Sequence, residues 1–69
     1  MVEVFKTDVV DTTESTSLTF VLSKEFVDYK INFDLSDCDR ILRIESQNIN
    51  VDRVLSIVNG MGYQCQVLI

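Results

Sequence analysis

The chain has 69 residues, a formal charge of −5 and 46% hydrophobic residues, material for one small domain that hides only ~60% of its unfolded surface and can leave few large side chains idle. Six scattered Lys and Arg residues do not form the basic stripe that a phosphate backbone requires, and no apolar run nears the ~20 residues of a membrane span. Histidine is missing altogether, which removes the commonest general base and the commonest metal ligand together.

In chain order, Met1 to Lys6 alternates as a short strand, with Val2 and Val4 on one face and Phe5 on the other. Asp8 to Ser17 is polar and offers Asp11, Thr12 and Thr13 as helix N-caps; Asp11 followed three later by Glu14 resembles a capping box. Leu18, Val21, Leu22 and Phe26 then recur at helical spacing and predict a stripe facing a sheet. The Thr and Ser content makes this helix intrinsically poor, so packing must hold it. Tyr29, Ile31, Phe33 and Leu35 alternate strictly with Lys30, Asn32 and Asp34, which predicts a half-buried strand. Ser36 to Asp39 is a polar break, and Arg40 to Glu45 a second strand with Leu42 and Ile44 on one face and Ile41 and Arg43 on the other. The two should pair as a hairpin.

Asn50 is a natural N-cap for a helix carrying Val51, Val54, Leu55 and Val58 at i, i+3, i+4 and i+7. Gly60 and Gly62 should end it, since glycine accepts a left-handed backbone. Tyr63 to Ile69 reads as a last strand, with Tyr63, Cys65, Val67 and Ile69 on one face and Gln64, Gln66 and Leu68 on the other. The order strand, helix, strand, strand, helix, strand with two right-handed crossovers predicts a single α+β domain over residues 1–69. It is a ferredoxin-like βαββαβ sandwich, a four-stranded antiparallel sheet with two helices on one face.

The strand-turn-strand of Tyr29 to Glu45, the helix Val51 to Asn59, and Gly62-Tyr63 leading into the last strand carry a resemblance to the heavy-metal-associated domain superfamily. It is best over Tyr29 to Leu68. Thr7 falls where that family's Thr-Cys-x-x-Cys motif begins, and the two metal-binding cysteines map onto Asp8 and Asp11. Aspartate is a hard oxygen donor and does not replace thiolate for Cu(I). What the resemblance implies is therefore a relative without the soft-metal site.

Asp8 and Asp11 have two readings: ligands for a hard cation such as Mg or Ca, or caps on the positive end of the first helix. The predicted topology would gather them with Asp37, Cys38, Asp39 and Cys65 at one pole. Cys38, in a turn, reads as an exposed thiol with acidic neighbours, and Cys65 as a small core residue. Two cysteines form neither a disulfide framework nor a thiolate metal site, which favours a reducing, cytoplasmic setting. No nucleophile elbow and no glycine-rich phosphate loop is present, so a non-catalytic protein without cofactor is expected. A small-molecule regulatory domain rests on fold analogy alone.

The expected role is a binding or assembly module that meets a protein partner or itself, and neither nucleic acid nor membrane. Its candidate interface is Cys65, Gln66, Val67, Leu68 and Ile69, an uncharged strand at a sheet edge that could join a homodimer. The open sheet face, expected to bear Phe5, Ile41 and Leu68, is the other surface. The alternative is a metal-handling protein with an altered acidic cation site at the Asp8/Asp11 loop.

Overall fold

The alternations along the chain become six elements in the expected order. The computed structural model describes residues 1–68, with β1 (Val2–Thr7), α1 (Thr12–Glu25), β2 (Lys30–Asp34), β3 (Ile41–Glu45), α2 (Val51–Gly60) and β4 (Cys65–Val67). The strands form one antiparallel sheet in the order β2-β3-β1-β4. This is the ferredoxin-like α+β architecture, and it puts β2 and β4 at the two edges.

Both helices lie on the same side. Leu18 and Leu22 of α1 and Val54 and Val58 of α2 are fully buried in one cluster with Phe5, Val9, Leu42 and Ile44. Each such side chain contributes roughly 1.5–3 kcal/mol on leaving water. That packing matters most for α1, whose Ser and Thr residues would not hold a helix alone. Of its expected stripe, Leu18 and Leu22 are fully buried, Phe26 packs against the core from the C-cap and Val21 is only half-buried; Ser15 joins the buried face, its hydroxyl donating back to Thr12 O at 3.0 Å. At its end the Phe26 and Tyr29 rings stack at 4.4 Å, and the Tyr29 hydroxyl accepts from Asn50 N–H at 2.7 Å. Arg53 pairs with Glu25 across the same corner. These contacts tie the end of α1, the start of β2 and the start of α2 together.

Helix α2 behaves as its spacing predicts. Asn50 Oδ1 accepts from Arg53 N–H at 3.1 Å as the N-cap. The C-terminus closes through Gly62 N–H to Asn59 O and Tyr63 N–H to Val58 O, the paired bonds of a Schellman motif. Only Gly62, at φ +97, needs glycine's left-handed freedom. Gly60 stays inside the helix, which corrects its expected role as a second stop.

Three further expectations change. Phe5 is fully buried beneath the helices and not on the open sheet face. Thr7 shares its side of β1, where its hydroxyl is satisfied by backbone, so the larger ring wins the core and Val2 faces out. Arg40 does not begin β3, because its φ of +48 makes it the last residue of the preceding turn. Strand β4 spans three residues where seven were expected; Tyr63 is held by the helix stop, and Ile69 lies outside the described residues. The open face of the sheet carries Val4, Ile41 and Leu68 among Lys6, Lys30, Asn32, Asp34, Arg43, Glu45 and Gln66, which follows from the register and the two-residue period.

Candidate functional site

At the pole where β1 runs into α1, the two aspartates are already employed. Asp11 is the N-cap of α1, its Oδ1 accepting from Glu14 N–H at 2.9 Å. Glu14 Oε1 in turn accepts from Val10 N–H at 2.9 Å, so the capping box forms with its return bond one residue early. Asp8 does not cap the helix. Its Oδ1 accepts from Gln64 N–H at 2.8 Å, across 56 positions of chain, and fastens the lead into β4. Both carboxylates therefore serve backbone donors.

Arg40 brings a positive charge to this pole. Its guanidinium donates to Val10 O and Leu35 O, each at 3.1 Å, and so bridges the loop after β1 to the end of β2. Thr7 completes the joint: its hydroxyl donates to Arg40 O at 2.6 Å and accepts from Val9 N–H at 3.3 Å. Lys6 Nζ stands 3.7 Å from Asp39 Oδ1. The turn Asp37-Cys38-Asp39 gathers two carboxylates and a thiol within 4.8 Å of one another, the one such group of three among the described residues. Its geometry is that of a turn, since Asp37 Oδ1 accepts from Asp39 N–H at 2.8 Å. Asp8 and Asp11 belong to no such group.

Titration follows this crowding. Burial pushes the Cys65 thiol up to about 11, and the Asp8 charge adds to it. Burial also raises the Tyr63 phenol, helped by Glu14, Asp11 and Asp8. Both cysteines are free, Cys38 exposed and Cys65 half-buried.

The sheet edges offer more. Thr7 N–H donates to Arg40 O, and Ser46 N–H to Met1 O. Backbone direction alternates along an antiparallel strand, so Ile41, Arg43 and Glu45 turn toward β2 and meet Asp34, Asn32 and Lys30. The N–H and C=O groups of Ile31 and Phe33 are then left at the open edge. At the far edge Leu68 N–H donates to Val4 O at 2.8 Å, so Gln66 and Leu68 face β1 while Cys65 and Val67 face out.

The two edges are flanked differently. Beside β2, a groove of about 430 Å3 runs under α1 between Thr16, Thr19 and Phe20 on the helix and Ile31 and Phe33 on the strand. Phe20 is 61% exposed there, with Lys24 Nζ 4.9 Å above its ring. Beside β4 the groove is polar, lined by Lys6, Thr7, Asn59, Gln64, Cys65 and Gln66. A depression at the opposite end of the sheet, between Met1, Asp28, Tyr29, Lys30, Glu45 and Gln47, is also largely polar. No helix among the described residues is long and apolar enough to cross a membrane. Residue reading missed Arg40 and the β2 groove; Phe20, off the apolar stripe of α1, was the available signal. Compared with known proteins, the chain matches no family model, no curated sequence and no solved structure.

Proposed function

We propose that the chain is a small non-catalytic binding and assembly module of heavy-metal-associated-like fold without the soft-metal site, working in the cytoplasm through protein–protein contacts. The observation that supports this reading most is the sheet. Both of its edge strands hold backbone donors and acceptors with no partner among the described residues, and such edges recruit further strands unless something blocks them. The employment of Asp8 and Asp11 as backbone acceptors is in keeping with this, because it gives both carboxylates a structural role that needs no cation. The occupant of an edge is a second copy or another protein; Cys65 to Leu68 offers one seam and Lys30 to Asp34 the other. Light scattering over a dilution series tests the reading in its simplest form. Mass rising above one chain at high micromolar concentration supports it, and a strict monomer that also captures no strand-forming peptide contradicts it.

A further inference from the structure

We infer that β2 is a self-complementary docking edge, and that its occupant is β2 of a second copy, joined antiparallel about a two-fold axis through Asn32. The inference rests on the assembly reading above and names the seam and the partner within it.

Strand β2 reads Lys30-Ile31-Asn32-Phe33-Asp34, a cation and an anion placed symmetrically about an amide. Laid antiparallel on itself with Asn32 at the centre, it sets Lys30 of each copy opposite Asp34 of the other, twice. Opposite charges across a strand pair stabilise it, and like charges oppose it. Any shift of register loses this match, so the charges select one alignment. Lys30 also faces Glu45 on β3 within its own chain, and the partner's Asp34 would be its neighbour on the other side. The Ser36 hydroxyl and N–H hold Asp34 Oδ1 at 2.6 and 3.2 Å, which keeps the carboxylate at the end of the strand.

The backbone demands the same alignment. In it Ile31 faces Phe33 of the other copy, and these are the residues whose N–H and C=O groups point off the edge. The seam therefore closes four hydrogen bonds with no change of strand direction. The edge is cleared for just this length: Tyr29 N–H is held by Phe26 O, and Leu35 O by the Arg40 guanidinium. On the helix side, Ile31 and Phe33 are half-buried beside the exposed ring of Phe20. A second copy seated on the edge covers this apolar strip, while Asn32 of each chain meets its twin on the open face. The product is a continuous eight-stranded sheet with all four helices on one side. A seam of five residues is smaller than a permanent interface of ~1,200 Å2 or more, so the dimer forms and parts with concentration.

Paired cysteine reporters separate this seam from the other edge. In a Cys38→Ser, Cys65→Val background, Asn32→Cys places thiols at a pair that makes no ladder bonds, where Cα atoms approach to about 4.5 Å, within disulfide span. Mild oxidation at high micromolar concentration is expected to link Asn32→Cys chains into covalent dimers and to leave Gln66→Cys chains single. Lys30→Glu or Asp34→Lys alone should weaken wild-type dimerisation about tenfold, and the double exchange should restore it. Linkage at position 66 in place of 32, or an exchange that fails to restore, overturns the β2 seam and leaves assembly through β4 standing. Absence of both linkages in a chain that stays monomeric overturns the seam, and overturns the assembly reading with it if the chain also captures no strand-forming peptide.

Discussion

The two edges of the sheet have the same backbone and different surroundings. Each turns a pair of residues outward, Ile31 and Phe33 on β2, Cys65 and Val67 on β4. Absence of charge makes β4 the obvious sticky strand when only the residues are read. In the folded protein β4 is three residues long and lies beside a polar groove that includes Lys6 and Asn59. Strand β2 carries two charges, which in isolation argue against pairing. Placed at an edge next to Phe20, those same charges become a register device. Unsatisfied backbone makes an edge available; the side chains flanking it determine what can sit there.

The largest expected effect lies in the frame that supports both edges. Phe5→Ala opens a cavity under the central strand β1 and should cost ~3–5 kcal/mol in a denaturant melt, loosening the two edges alike. A smaller effect, confined to one edge, comes from Asp8→Ala. It removes an exposed bond to the Gln64 N–H, which water can replace, and should cost ~1 kcal/mol, with amide exchange rising along β4 and not along β2. Asp11→Ala removes only the cap of α1, the helix that flanks β2, for ~1 kcal/mol by the same melt.

The cysteines extend the comparison to pH. The Cys65 thiol ionises at about 11 in the fold against its ordinary 9.0. Below pH 9 the folded and unfolded chains both keep the proton, so stability is unaffected. As pH rises from 9.0 through about 11, the unfolded chain loses its proton first. Stability should then fall by on the order of 2 kcal/mol, and Cys65→Val should remove that share while the raised Tyr63 phenol keeps its own. At neutral pH the exposed Cys38 should react with a thiol reagent well before Cys65. The smallest signal is expected from titrating Mg, Ca, Zn or Cu(I): no calorimetric heat at the Asp8/Asp11 loop and no change of melting on adding chelator. A saturable heat abolished by Asp8→Asn would restore the cation reading.

Where one face of a segment is wet and the other dry, its residues were enough to place it. Strand β2 and helix α2 have that contrast, and both lie within a residue of their expected bounds. Strand β1 lacks it: Val2 and Val4 balance Phe5, so alternation gives two faces without saying which meets the helices, and the size of the Phe5 ring settles it inward. Val9 is fully buried inside a polar run, where no periodicity marks it. Arg40 is illegible for another reason. Its contact to Leu35 O lies within its own turn, but its contact to Val10 O depends on a loop 30 positions away in chain meeting it in space. The candidate site was half visible, since a capping box at Asp11 and Glu14 is a local pattern and the Asp8 bond to Gln64 is not. The symmetry of Lys30 and Asp34 was in plain view, but it acquires meaning only once the strand order makes β2 an edge.

Amide exchange followed by NMR over a concentration series tests the β2 seam most directly. The N–H groups of Ile31 and Phe33 should exchange more slowly as the protein is concentrated, with Cys65 and Val67 unchanged. Flat exchange at Ile31 and Phe33, or protection growing at Cys65 and Val67 in their place, would contradict the account.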